Sequence, residues 1–301
     1  MELFKPDINI NFMSKLKYAL AISWSLIFAG LVSIFMHGGL KYGVDFSGGT
    51  LVQLEFKEAP NLDGIRDGLA PLGLEGSTIQ EFGVPTEVLI RVQNPEEKAE
   101  ELGPRIKATL EEKMKVTGIV IKRTEMVGPK VGKDLRQKAW LSILYSIIGI
   151  VIYIAWRFEL RFAVGTLVSL IHDVTITVGL FSILDKEFDL VVIAAFLTLI
   201  GYSLNDTIVV FDRIRENMRR RSREPLGVVI NASINQTLSR TTLTSGLTLL
   251  AVISLFFLGG EIIHNFAFTL LFGIITGTFS SIYIASPVVI YWEHWMVPKK
   301  G

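Results

Sequence analysis

Six runs of about 20 apolar residues, joined by short polar links and one long charged insert, dictate what this chain can fold into. They fall at 18–37, 139–156, 162–184, 190–211, 241–259 and within 262–292. At 1.5 Å per residue, about 20 helical residues cross the roughly 30 Å of a bilayer's hydrocarbon. The charges avoid these runs. Residues 38–138 hold 15 Lys/Arg and 16 Asp/Glu of the 59 charged residues in the chain. One soluble globule would not segregate charge in this way. The pattern predicts a membrane all-α bundle of six transmembrane helices with an inserted domain. The first run follows Lys15 and Lys17 and lacks a small-x-small cleavage site, so a retained span is expected. With no cysteine, disulfides, Cys-type zinc sites and Cys nucleophiles are excluded. Four scattered histidines do not suggest a metal centre, and no metal or cofactor is expected.

Orientation follows from the links. Asp212–Arg223 carries six Arg against Asp212 and Glu216. Arg157 and Arg161 lie between spans two and three, and Lys5, Lys15, Lys17, Lys299 and Lys300 lie near the ends. On the other side, 185–189 is net acidic. The positive-inside rule then places both termini in the cytoplasm and 38–138 outside. The expected layout is an amino-terminal cytoplasmic segment 1–17, span one over 18–37, an extracytoplasmic domain over 38–138, and spans two to six over 139–301. A basic cytoplasmic loop is expected at 212–239.

The insert has its own rhythm. Thr50–Lys57 alternates as a strand does. Asn61–Leu72 reads as a helix with Asn61 as N-cap. Ser77–Phe82 and Glu87–Gln93 read as strands parted by Gly83-Val84-Pro85. A charged amphipathic helix is expected over Pro95–Lys115 after Asn94, and a last strand over Val116–Glu125. The order β-α-β-β-α-β is the α+β, ferredoxin-like pattern.

Gly43–Thr50 has the G-x4-G spacing of a phosphate loop, but Gly49 stands where the lysine belongs, and the loop precedes a strand. Gly128–Asp134 is a second, shorter imitation. Both read as glycine-rich joints between the insert and the spans. With no nucleotide or hydrolytic motif, the chain is not expected to be an enzyme.

Asp206 interrupts span four. A carboxylate at membrane depth costs several kcal/mol unless neutralised, paired or wet, and one that can change charge there suits proton relay. Arg240, at the start of span five, is the expected partner. Because only Thr207–Phe211 separates Asp206 from Asp212, an interface-anchor role stands beside the relay role. Asp173 lies mid-span in span three, sharing a face with Ser169 and Thr177. It serves either relay or interhelical bonding. The adjacent His172 is expected to point about 100° away. Gly201 and Asn205 share a face with each other, while Thr207 follows Asp206 directly; these are the expected supporting residues. Gly246, Gly273 and Gly277 are expected to permit close helix approach. Gly43, Gly48, Gly49, Gly128 and Gly132 mark the two stalks of the insert, where backbone rotation would be cheap.

These motifs carry a resemblance. Tyr42–Thr50 (YGVDFSGGT), Val127–Gly132 (VGPKVG), Gly201–Asn217 (GYSLNDTIVVFDRIREN) and Ser239-Arg240-Thr241 resemble the SecF family of the SecDF protein-export accessory complex. The resemblance runs over nearly the whole chain. It implies half of an RND-superfamily bundle in the cytoplasmic membrane, completed by six spans of SecD. It further implies association with the SecYEG channel and SecA, and with YajC and YidC. Proton flow would act on unfolded preprotein emerging on the outer side. Asp206 and Arg240 match the family's proton-path residues. Protons and membrane lipid are then the small partners, and no nucleic acid is implied.

Overall fold

The computed structural model describes residues 9–93 and 99–296. In chain order come α1 (Leu16–Met36), α2 (Val44–Ser47), β1 (Gly49–Glu55), α3 (Leu62–Leu69), β2 (Thr78–Phe82) and β3 (Val84–Val92). Then follow α4 (Ala99–Met114), β4 (Val120–Val127), α5 (Pro129–Arg157), α6 (Leu160–Ile183) and α7 (Leu190–Arg220). The last are α8 (Leu226–Leu258), α9 (Glu261–Ser280) and α10 (Ser286–Met296). A π-helical turn, Ser281–Ala285, joins α9 to α10.

Among the described residues, six helical stretches are long and apolar enough to cross a membrane. They match the six apolar runs and extend well past them at the start of α5, the end of α7 and the start of α8. α5 starts at Pro129, which suits the first helical turn because its missing N–H would have no partner there. The expected basic loop at 212–239 is corrected: 212–220 continues α7, α8 begins at Leu226, and only 221–225 turns. Apolarity marks the part of a helix that sits in lipid, not where the helix ends. Arg is itself a good helix former, and Glu216 pairs with Arg213 and Arg220 one turn away on either side, each at 2.8 Å.

The insert forms an antiparallel sheet in the order β2-β3-β1-β4. β1 pairs with β3 through Thr50↔Val92 to Glu55↔Glu87. α3 and α4 cover one face, packing Ile65, Leu69, Ile106 and Leu110 against Val52, Leu54, Val88 and Ile90. Asn61 caps α3 as expected, accepting from Asp63 N at 3.0 Å. β3 begins at Val84, directly after Gly83, which takes φ +77° at the turn. Pro85 is tolerated beside the register shift there. The expected start of α4 at Asn94 and Pro95 lies outside the described residues.

In the bundle, α6, α7 and α9 form the buried centre while α1, α5 and α8 keep exposed sides. Lipid is as apolar as leucine, so close packing and hydrogen bonds hold such helices together. α1 lies on α6 through three contacts, Ser23–His172, Gly30–Gly179 and Ser33–Ser182, each 149 residues apart. A constant offset means the helices run in the same direction. A Cβ on Gly30 would lie 2.7 Å from Gly179 Cα, so neither position has room for a side chain. Gly273 and Gly277 serve close approach as expected, against Leu199 and Ser203, but nothing lies within 4 Å of a Cβ on Gly246.

The other face of the sheet looks at the α6–α7 link across a cleft of about 530 Å³. The joint is a clasp. Arg91 of β3 forms an ion pair with Glu187, with both side chains largely buried. Lys41 pairs with Asp185 at 2.7 Å. Tyr42 bridges Phe188, whose ring stacks on Trp140 of α5. The first turn of α7 is capped twice: Asp189 accepts from Val192 N at 2.8 Å, and Asp45 of α2 accepts from Leu190 N at 3.2 Å. Burial lifts the Asp189 carboxyl above the usual carboxylate range, and that capping bond from Val192 opposes the rise.

Two outcomes test this packing. Gly179→Leu should destabilise the full chain by about 1–3 kcal/mol through overpacking, read as a lower thermal midpoint in detergent, while Gly246→Leu leaves the midpoint unchanged. Arg91→Ala strands Glu187 and should weaken docking by up to about 3–5 kcal/mol. Since the chain lacks cysteine, Leu51→Cys with Leu184→Cys across the cleft gives a clean cross-link. Its yield should fall when Arg91→Ala is added.

Candidate functional site

Two buried carboxylates draw polar side chains from several of the apolar helices. Asp206 of α7 is 2% exposed. Its Oδ2 accepts from Ser245 Oγ of α8 at 2.7 Å and from Thr278 Oγ1 of α9 at 3.3 Å. The two hydroxyls also touch, at 3.1 Å. Three helices therefore meet at one carboxylate. Thr207, one residue on, is buried and its hydroxyl returns to Ser203 O.

Asp173 of α6 is the second node, 1% exposed. Its Oδ2 accepts from Ser203 Oγ of α7 at 2.6 Å and from Ser280 Oγ of α9 at 2.8 Å. His172 does not turn away, as its helical position suggested. Its Nδ1 lies 2.9 Å from Asp173 Oδ1, and its Nε2 lies 3.0 Å from Ser23 Oγ of α1. The imidazole also stacks on Phe279. A helix fixes where Cβ points, whereas χ1 and χ2 can swing a ring back beside its neighbour. Ser169 and Thr177 share the buried face of Asp173, but their hydroxyls donate to backbone carbonyls, Thr166 O and Asp173 O.

α9 serves both nodes from opposite sides, Thr278 facing Asp206 and Ser280 facing Asp173. The π turn starts one residue later. Such wide turns are rare and recur at functional sites. Here Ser286 Oγ bonds back to Ser281 O at 2.7 Å.

Arg240 is not in contact with Asp206. Among the described residues no hydrogen bond or ion pair joins them. Arg240 instead lines a groove of about 560 Å³ with Asn205, Asp212, Arg213, Glu216 and Arg157. Asn205 and Gly201 share the exposed face of α7, away from the buried carboxylate. The sequence indicates Arg240, 34 residues further on, as a charge partner. The fold adds hydroxyls as the direct contacts, and an apolar helix gives no sequence sign of which serines face inward. Ser23, Ser203, Thr278 and Ser280 were missed for this reason. Ser245 alone carried a sequence signal, as part of a four-residue periodicity of hydroxyls along α8.

Gly48, Gly49 and Gly132 form a packed joint. A Cβ on Gly132 would lie 2.9 Å from Gly48 N, and one on Gly48 would lie 2.8 Å from Pro129 Cα. Gly48 and Gly49 have φ of +77° and +141°, and a Cβ on Gly49 would meet Val92 O at 2.3 Å. A Cβ on Gly43 would sit 3.3 Å from Asp189 Cβ. Gly128 is the N-cap of α5 with open space around it. At 43, 48, 49 and 132 the missing side chain permits close backbone approach, which argues against a loose swivel.

Comparison with known proteins converges on one family. The SecD/SecF GG motif model matches residues 33–60, and the C-terminal model of the protein export membrane proteins SecD/SecF matches residues 106–295. The protein translocase subunit SecF of Calditerrivibrio nitroreducens is 49% identical, over 96% of each chain. That of Magnetococcus marinus is 48% identical, over 96% of this chain and 94% of its own. The crystal structure of SecDF from Thermus thermophilus, a translocon-associated membrane protein, matches 97% of this chain with TM-score 0.85 and 35% identity. This chain spans 40% of that longer one. A SecDF structure in a super-membrane-facing form matches at the same identity and coverage with TM-score 0.72. The apolar spans, the inserted sheet domain, the glycine joint and these matches together show that the chain belongs to the SecF family of protein translocase subunits.

Proposed function

We propose that this chain, with a SecD-type partner, uses the proton-motive force to promote preprotein translocation across the cytoplasmic membrane and release on the outer side. Both termini then lie in the cytoplasm, and the insert, ferredoxin-like in its element and strand order, lies outside. The observation that carries this reading is Asp206, a carboxylate buried in a membrane helix and touched by hydroxyls rather than by a cation. A fixed ion pair would hold its charge. A carboxyl group among hydroxyls can take a proton and release it, because hydroxyls donate to one form and accept from the other. Arg240, exposed at the groove, is poised to meet the charged form when the helices shift or the partner bundle closes over it. Asp173 is the second candidate on the path.

One charge crossing 100 mV yields about 2.3 kcal/mol, which shifts a two-state equilibrium roughly fiftyfold. The two SecDF structures match this chain unequally at equal coverage, which supports more than one arrangement of the fold. The Asp45 cap on Leu190 N gives the outer domain a direct hold on the helix that carries Asp206. The SecYEG channel, SecA, YajC, YidC and lipid complete the expected surroundings. The alternative is a scaffold that joins SecD to the channel without proton chemistry.

The decisive measurement is preprotein translocation into membrane vesicles with and without a proton-motive force. Asp206→Asn should abolish the force-dependent part and leave the remainder. Force dependence equal to wild type would favour the scaffold. In the same assay Arg240→Lys should lose force dependence as well, since a pure interface anchor tolerates lysine. Asp173→Asn separates relay from glue: a relay residue loses force dependence, whereas a glue residue loses thermal stability and keeps it.

A further inference from the structure

Residues 10–13 precede the first span, yet they are built into the bundle. Two asparagines one turn apart on α8 hold them by the backbone. Asn235 Oδ1 accepts from Ile10 N at 2.8 Å, and its Nδ2 donates to Ile10 O at 2.9 Å. Asn231 Oδ1 accepts from Phe12 N at 2.8 Å, and its Nδ2 donates to Ile10 O at 3.1 Å. Each side-chain amide offers one donor and one acceptor, as a neighbouring strand would. This grip reads main chain and leaves the Ile10 side chain outside, 38% exposed. Phe12 is the anchor. It is 8% exposed and joins the apolar cluster that holds Ile230 and Ile234 of α8 and Val289 of α10. Its ring meets Tyr283 of the π turn edge-on, with centroids 6.2 Å apart.

The segment has no slack on its other side. Met13–Lys15 is a single 3-10 turn that runs straight into α1. α1 is in turn fastened to α6 at Ser23, Gly30 and Ser33. Ile10–Met13 therefore ties α8 to α1, to α6 and to the π turn. α8 also grips α7 through Ser233–Asn217 and Ser245–Asp206. Arg240 lies on the exposed side of α8, and among the described residues no hydrogen bond or ion pair joins it to Asp206. To bring the two together, α8 has to shift against its neighbours. Any shift of α8 relative to α6 must stretch the tie or break it.

We propose that Ile10–Met13 is a releasable strap that locks α8 in the arrangement where hydroxyls, and not Arg240, hold Asp206. Its role as a lock rests on the proton-carrying reading of Asp206; its docking does not. Release is feasible because the hold is local. Each hydrogen bond between neutral groups is modest in net strength, and the partners on both sides can bond to water once parted. Segments held by a few such contacts open without unfolding the rest.

The test uses the full chain with its SecD-type partner. Amide hydrogen exchange at Phe12 and Met13 reports docking. Ile10→Pro removes the N–H that Asn235 accepts, and Phe12→Ala removes the anchor. Each should speed that exchange at least about tenfold, the equivalent of one lost hydrogen bond. Ile10→Ala keeps every backbone contact and should match wild type. In vesicles, both unstrapped variants should reach half-maximal translocation at a lower proton-motive force. A release made tenfold easier corresponds to about 60 mV for one charge moved. Ile10→Ala should again match wild type. Wild-type exchange in Ile10→Pro and Phe12→Ala overturns the strap. Fast exchange in Ile10→Ala shows side-chain recognition and overturns the backbone grip. Fast exchange in the unstrapped variants with an unchanged or higher force requirement overturns the lock, because a merely weakened bundle needs no less force. Wild-type force dependence in Asp206→Asn removes the proton-motive reading and the lock with it, while the exchange result still decides the strap.

Discussion

Inside a bilayer no water is at hand to solvate a carboxylate, and the rest of this bundle is arranged around that fact. Asp173 and Asp206 must be solvated by protein, and serine and threonine hydroxyls do it. Each carboxylate draws donors from at least two other helices, so solvation and helix packing are the same contacts. The centre of the bundle, α6, α7 and α9, is therefore defined by polar atoms as much as by fitted apolar surfaces. Glycines at 273 and 277 bring α9 close enough to α7 for the hydroxyls to reach.

The insert obeys different physics. In water, Ile65, Leu69, Ile106 and Leu110 gain by leaving solvent, and one sheet face closes over them. The other face stays open towards the α6–α7 link and is held by the Arg91–Glu187 pair. The two halves of the molecule thus meet at 41–48 and 184–190 through charge and backbone contacts and through Phe46 and Phe188, which are buried in the core of the bundle.

Much of this was legible in the sequence. Alternation in Thr50–Lys57, the cap at Asn61 and the apolar runs each rest on a local rule, and the elements appear where those rules put them. What was not legible is long-range. The ends of α7 and α8 were missed because helices persist beyond lipid, with ion pairs in place of apolar faces. The carboxylate partners were missed because a serine in an apolar helix reads the same whether it faces lipid, its own backbone or Asp206. His172 was misjudged because rotamers are set by neighbours that only the folded bundle provides. Asp206 and Asp173 themselves were found, since a buried charge is conspicuous before any fold is known.

The same-direction contact of α1 with α6 bears on the order of synthesis. The residues that fasten α1, Ser23, Gly30 and Ser33, find their partners on a helix made 149 residues later. At about 5–20 residues per second, the first helix waits roughly 7–30 s in the bilayer before its partner emerges. During that time its hydroxyls can be satisfied only by its own backbone, as Ser25 still is through Ala21 O. The first helix must therefore be stable alone in lipid until the third span arrives to pack on it.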